Sequence, residues 1–174
     1  MIAARDEAVI GAQLGRPPRA IHEVAHRCPC GNPDVVATLP RLEDGTPFPT
    51  TFYLTCPRAA SLIGTLEASG LMREMTDRLG QDPDLADGYR HAHESYLTFR
   101  ESLAHVPEIA GVSAGGMPTR VKCLHVLAAQ SLAQGSGVNP LGDEVVDRLG
   151  EFWADGPCVV PCVAPGAAPD EAQP

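Results

Sequence analysis

The spacing of apolar and polar positions predicts one helix followed by a strand-rich region in the first third of the chain. Apolar residues recur at loose helical spacing over residues 3–14, and glycine and proline follow directly. Weak alternation over residues 20–27, a short apolar run over 35–39 and an aromatic, β-branched run over 48–55 predict three strands. Turn-forming residues separate these runs, so we expect a small antiparallel sheet.

Beyond Cys56 the apolar spacing is helical. Pro57 suits the first position of a helix, because the N–H that it lacks would have no intrahelical partner there. The predicted helices span residues 57–69, 71–79, 83–103, 118–133 and 143–153. The sequence therefore predicts an α+β protein, in which a small antiparallel sheet of about three strands packs against four to six helices.

Length and composition favour one domain. Of the 174 residues, 44% are hydrophobic and 20% are charged, as in an ordinary globular protein. We predict a single globular domain over residues 1–155. Residues 156–174 are rich in proline and alanine and show no periodicity, which predicts a disordered tail.

The charge of the chain limits its partners. The formal net charge is −9, so the protein repels phosphate backbones and generic nucleic-acid binding is not expected. No run approaches the roughly 18 apolar residues that a membrane span needs, and the N-terminus lacks the pattern of a signal peptide. We therefore predict a cytoplasmic protein that does not enter membranes, and an unknown protein partner is compatible with its acidic surface.

The candidate chemistry lies mainly in the cysteines. They are Cys28, Cys30, Cys56, Cys123, Cys158 and Cys162. In a reducing compartment such residues are thiols, metal ligands or redox groups rather than structural disulfides. Cys28 and Cys30 lie on a proline- and glycine-containing turn that suits a metal. Cys56 lies where a strand gives way to a helix, whose dipole favours a thiolate. Buried thiols without a function are the alternative for all three, and the two cysteines of the tail are given no role.

Residues 120–125 combine cations, a thiol and an imidazole at a predicted helix start. Arg120 and Lys122, together with free backbone N–H groups, could bind an anion. Cys123 and His125 are two positions apart, so on an ideal helix they would point about 200° away from each other. Both can reach one metal ion only if the first turn of this helix is irregular.

Two further patterns match known motifs formally, and two histidines lie close together on a predicted helix. Residues 22–26 read H-E-x-x-H, but they lie on a predicted strand, where the two imidazoles would not share a helix face. Residues 111–115 read G-x-S-x-G without the preceding strand that a nucleophile elbow needs. His91 and His93 lie on the long predicted helix without sharing a face. Chance matches on a strand, a loop and a solvated helix face are the simpler interpretation.

Several short segments together resemble a known family. They are DGTPFPT at residues 44–50, TCP at 55–57 and KCLH at 122–125, with residues 27–28, 31–35 and 139–142 in the same order. Over residues 10–150 the chain resembles the bacterial family of domain of unknown function 501, in an actinobacterial form. The resemblance implies no assigned activity. It implies genes beside those for enolase, a septum-formation initiator and an exopolyphosphatase, a context of cell division or phosphate metabolism.

The resemblance also indicates which residues are candidates for a site. It highlights Cys28, Cys56, Cys123 and His125, with Cys30 present in some members. Many members carry a histidine where this chain has Gln130. Taken as one site, the four highlighted residues would form a Cys₃His centre for zinc, and Cys30 would allow an iron–sulfur cluster.

Three hypotheses follow for the function. The first is a metal-binding module built on the Cys₃His set with an accessory role. The second is a non-catalytic interaction protein, compatible with the division context. The third is an enzyme acting on a phosphorylated small molecule, with Arg120 and Lys122 as the anion clamp, Cys56 or Cys123 as nucleophile, and His125 or His93 as base.

Overall fold

The structure is a computed structural model that describes residues 2–160. Its strands are β1 (Ile21–Arg27), β2 (Pro33–Thr38) and β3 (Phe52–Leu54). Its helices are α1 (Ala4–Leu14), α2 (Pro57–Ala68), α3 (Leu71–Leu79), α4 (Pro83–Leu103), α5 (Leu124–Gln134) and α6 (Pro140–Leu149), and a 3-10 turn spans Pro107–Ile109. The predicted α+β class, with three antiparallel strands and helices packed on them, is confirmed.

The three strands form one antiparallel sheet in the order β1-β2-β3. Val35 of β2 lies opposite Leu54 of β3, and Val24 of β1 lies opposite Val36. Every residue of β2 is buried, because α5 contacts all three strands and α1 also contacts β2. Burial on both faces explains why the sequence of β2 reads as an apolar run rather than as strict alternation.

Helix α5 is held against α6 at very short range. An added Cβ at Gly142 would lie 2.3 Å from the carbonyl oxygen of Leu127 and 2.4 Å from Ser131 Oγ, so only glycine fits at this crossing. Asn139 begins α6 and accepts a hydrogen bond from the Gly142 N–H at 2.9 Å. The sequence segment 139–142 is therefore a helix start that places α6 directly on α5.

Two buried polar side chains fix the loops around α4 and α5. Arg100 is fully buried and donates to the carbonyl oxygens of Val112 at 2.6 Å and Ile109 at 2.7 Å. Gln130 is also fully buried; its Nε2 donates to the Ala92 carbonyl at 2.7 Å, and its Oε1 accepts from Asn139 Nδ2 at 2.9 Å. Gln130 is thus a satisfied core amide, which agrees with the rule that buried polar groups are paired.

The prediction that a helix begins at residue 118 is wrong. The Met117–Pro118 peptide bond is cis, and the backbone of Lys122 donates to the Gly115 carbonyl at 2.7 Å instead of entering a helix. Helix α5 begins only at Leu124. Since the preceding segment is tied back to the glycine loop, the predicted helix loses its first six residues.

Two other elements differ in length from their predictions. The third strand spans three residues rather than 48–55, because Pro49 cannot donate to a ladder and the Thr51 N–H donates to Tyr96 Oη instead. The last helix is Pro140–Leu149 rather than 143–153, because Asn139 and Pro140 supply the cap and the first position.

The C-terminal segment is described up to residue 160. Arg58 of α2 donates to the carbonyl oxygens of Phe152 at 3.1 Å and Gly156 at 2.8 Å. The rest of the predicted disordered tail, residues 161–174 with Cys162, lies outside the described residues. Within residues 2–160, no helix combines the length and the apolar character that crossing a bilayer requires.

Candidate metal centre

The late start of α5 changes the relation between Cys123 and His125. Cys123 precedes the helix and has an extended backbone, with φ −156° and ψ 114°. The 200° separation expected for two helical positions therefore does not apply. Cys123 Sγ lies 3.9 Å from His125 Nδ1, because Cys123 precedes the helix rather than lying in its first turn.

Glu67 of α2 completes the cluster. Its Oε1 lies 3.2 Å from His125 Nδ1 and accepts a hydrogen bond from the Leu124 backbone N–H at 2.7 Å. One ligand atom each from Glu67, Cys123 and His125 lies within 4.8 Å of the other two. Sequence analysis missed Glu67, because a lone glutamate near the end of a helix carries no signal of its partner 58 residues further along the chain.

A carbonyl oxygen of α2 orients the imidazole. His125 Nε2 lies 3.1 Å from the Ala60 carbonyl, which can only accept, so Nε2 carries the proton and donates it. Nδ1 therefore faces the Glu67 carboxylate and the Cys123 thiol. A metal-binding histidine commonly donates its other ring N–H to a backbone carbonyl in this way.

The surroundings of His125 favour its charged form. The hydrogen bond with Cys123 is the largest cause, burial opposes it, and the Glu67 carboxylate adds to it, so that the pKa of His125 rises to about 9. Without a metal, the centre therefore holds an imidazolium at neutral pH. A metal ion that binds Nδ1 must displace this proton.

The cluster lies beside an open cavity of about 630 Å³. Strand β3, the start of α2 and the start of α5 line it, with Cys123 and His125 on its wall. The side chains of Glu67 and His125 are 23% and 32% exposed. A ligand in the cavity can therefore reach Cys123 and His125.

Cys28 and Cys56 do not belong to this group of ligand atoms. Both are buried, at 5% and 2% exposed. Burial is the largest cause that raises the pKa of Cys28 to about 12 and that of Cys56 to about 11. The Cys30 backbone N–H lies 3.5 Å from Cys28 Sγ. The Cys₃His set with Cys28 and Cys56, with or without Cys30, stays a prediction.

The predicted anion clamp lies outside the cavity lining. Arg120 and Lys122 are exposed on the extended segment before α5, not at a helix start as expected, and neither forms an ion pair within residues 2–160. Tyr89 Oη donates to the Arg120 carbonyl at 3.1 Å, which fixes the backbone there but leaves the guanidinium in solvent. Anion binding by these two residues stays a prediction.

Residues of the two formal motif matches contact other parts of the chain. Residues 22–26 lie on β1 as predicted, and His26 Nδ1 lies 2.7 Å from Asp34 Oδ1. Ser113 is buried in a loop with its Oγ 2.8 Å from His93 Nδ1. Both contacts tie neighbouring segments together, and neither lies on the wall of the cavity beside Cys123.

The fold and the cluster define an α+β protein with a carboxylate–thiol–imidazole site at a helix start. Residues 24–147 match the family described as "Protein of unknown function (DUF501)". The match covers 124 of the 174 residues and includes Glu67, Cys123 and His125. The chain therefore belongs to the DUF501 family, as the resemblance predicted. Comparison with curated proteins and with solved structures finds no match.

Proposed function

We propose that the protein is a metal-binding module in which Glu67, Cys123 and His125 hold one divalent transition-metal ion, with zinc as the preferred occupant. The observation that carries this proposal is the approach of three different ligand atoms to within 4.8 Å of one another. Thiolate sulfur, imidazole nitrogen and carboxylate oxygen are the ligands that zinc takes in proteins.

The separations in the cluster suit a metal ion. Zinc–ligand bonds of about 2.0 to 2.3 Å in a tetrahedron place the ligand atoms about 3.5 Å apart. Nδ1 of His125 lies 3.2 Å from Glu67 Oε1 and 3.9 Å from Cys123 Sγ. Small rotations of the side chains are enough to bring all three atoms onto one ion.

Three protein ligands leave a fourth position for water or another ligand. The cavity beside Cys123 and His125 gives access to that position. An open fourth position is typical of zinc sites that bind or activate a ligand, whereas structural sites are closed by four protein side chains. We therefore expect the module to present its metal to a partner or small molecule that enters the cavity. An iron–sulfur cluster finds less support, because this centre offers one thiolate rather than four.

Elemental analysis and cobalt substitution test the proposal. Protein purified without oxygen should carry about one zinc ion per chain, and the cobalt form should show a thiolate-to-cobalt charge-transfer band. Cys123→Ser should abolish the band, and His125→Gln should weaken zinc binding at least 100-fold, as expected for loss of a ligand. Cys30→Ser and His93→Gln are the matched controls and should behave as the unmodified protein.

The same measurements separate this centre from the larger set predicted from sequence. Cys28→Ser and Cys56→Ser should leave the metal content and the cobalt spectrum unchanged if Glu67, Cys123 and His125 are the ligands. Loss of the band in either variant would favour the Cys₃His set. Metal bound equally well by Cys123→Ser and His125→Gln would overturn both.

A further inference from the structure

Two thiols meet away from the Glu67–Cys123–His125 centre. Cys56 lies at the junction of β3 and α2, immediately before Pro57. Cys158 belongs to the C-terminal segment, about a hundred residues later in the chain. Cys158 packs against the buried cluster that contains Cys56, and its thiol is a hydrogen-bonding neighbour of the Cys56 thiol. Sequence analysis gave Cys158 no role, because the prolines around it predicted only a tail.

Several contacts hold Cys158 beside Cys56. Gln13 of α1 places its Nε2 3.4 Å from Cys158 Sγ and donates with the same nitrogen to the Pro33 carbonyl at 2.7 Å. Asn32 Nδ2 donates to the Val159 carbonyl at 3.0 Å. Arg58 binds two carbonyl oxygens of the preceding residues, as described above. The segment is thus attached at four points, so the two thiols have a high effective concentration for each other.

The two thiols differ in access. Cys56 is buried, and burial raises its pKa although the backbone N–H groups of Arg58 and Ala59 favour its thiolate. Cys158 is only half-buried, so a reagent in solution can reach its sulfur first. Redox proteins with an attacking and a resolving cysteine have the same arrangement. In them an accessible thiol reacts with the reagent, and a neighbouring thiol then displaces the product.

We propose that Cys56 and Cys158 are a reversible thiol–disulfide site that reacts with low-molecular-weight disulfides. The Cys158 thiolate attacks the disulfide RSSR, forms a mixed disulfide and releases one RS⁻. The Cys56 thiolate then attacks the Cys158 sulfur, forms the Cys56–Cys158 bond and releases the second RS⁻. Two protein thiols are oxidised and one RSSR is reduced to two RSH, so atoms and electrons balance.

The bond would lock the C-terminal segment onto the β3–α2 junction. It would close a loop of about a hundred residues, and a loop of this length gives a large restriction of the unfolded chain. The oxidised protein should therefore melt at a temperature higher by more than about 5 °C. Glu67, Cys123 and His125 take no part in this reaction, so the disulfide can form or fail to form whether or not these three residues bind a metal.

Glutathione disulfide is the probe for the test. After equilibration with it, the protein is denatured in iodoacetamide, digested and analysed by mass spectrometry. We expect one cross-linked peptide pair that contains Cys56 and Cys158, and a mass lower by two hydrogen atoms. Cys30→Ser, the matched control, should give the same pair. Cys158→Ser should give no cross-link and no rise in Tm.

A variant that leaves both thiols in place tests the role of the held segment. Arg58→Gln removes the two hydrogen bonds to the segment, so the ratio of glutathione disulfide to reduced glutathione needed for half-oxidation should rise at least tenfold. Circular dichroism and the Tm of the reduced variants show whether the fold is kept. A cross-link from Cys56 to another cysteine, or two separate glutathione adducts on Cys56 and Cys158, would overturn the proposal.

Discussion

The region around His125 and the region around Cys28 and Cys56 contain similar residue types in opposite environments. At the start of α5, the thiol, the carboxylate and the imidazole are near one another and partly open to solvent, and the pKa of His125 is raised because its partners stabilise its charge. At the end of the sheet, burial dominates and keeps the two thiols neutral. The surroundings therefore decide whether the charged or the neutral form of a group is favoured, and residue type alone does not.

Introducing a carboxylate into each region should give the largest difference in stability between the two regions. Cys56→Asp places an unpaired charge in the core and should lower the free energy of unfolding by about 3–5 kcal/mol. Cys123→Asp places the carboxylate beside an imidazolium and should cost about 1 kcal/mol or less. Urea unfolding of the metal-free proteins measures both values. Equal losses in the two variants would show that the environments do not differ as described.

Cys123→Asp also has a second expected outcome. Carboxylate is a zinc ligand, so this variant should keep zinc while losing the charge-transfer band of the cobalt form. Cys123→Ser, which offers no strong ligand, is the comparison for metal retention.

The two regions should affect the dependence of stability on pH in two different pH ranges. His125 has a folded-state pKa of about 9 and an ordinary value of 6.5. Its contribution is therefore fully present below pH 6.5 and is lost as pH rises through 9. After allowance for partial exposure, we expect the metal-free protein to lose about 1–2 kcal/mol over this range. His125→Gln should show no such loss.

The buried thiols should affect the stability of the protein at higher pH than His125 does. The pKa of Cys28 is raised from 9.0 to about 12, so its contribution is present below pH 9 and is lost as pH rises toward 12. This alkaline loss should persist in His125→Gln and diminish in Cys28→Ala. Denaturant unfolding at a series of pH values distinguishes the two pH ranges. A single transition shared by all variants would contradict the assignment.

Of these substitutions, Glu67→Gln should lower the stability of the protein least. The amide oxygen can still accept from the Leu124 N–H, so the helix start is kept and the loss of stability should be about 0.5–1 kcal/mol. Without the carboxylate, the pKa of His125 should fall, because one of the two groups that raise it has lost its charge. NMR titration of the His125 ring measures this shift, with Glu94→Gln as the control on an exposed helix face.

The larger elements of the fold could be predicted from sequence because they depend on local spacing. The existence of three strands and of the helices after Cys56 followed from periodicity and proline positions. The start of α5 could not be predicted, since it depends on the tertiary contact between Lys122 and Gly115. That one boundary decides whether Cys123 and His125 meet.

The candidate site could be predicted only in part. Sequence analysis found Cys123 and His125, because a thiol and an imidazole close together at a helix start are distinctive. Glu67 and Cys158 were missed, since each meets its partner through the packing of distant segments. The sequence carries no local signal for a contact between α2 and α5 or between the C-terminal segment and β3.

The contact at Gly142 has a consequence for the start of α5. The backbone of α6 packs directly against the Leu127 carbonyl. This contact fixes the position of α5 about one turn from its first residue. A side chain at position 142 would overlap this part of α5 and displace it. Cys123 and His125 lie within four residues of Leu127, so the displacement would move both ligands. The spacing of the ligand atoms therefore depends on Gly142 of α6, which has no side chain.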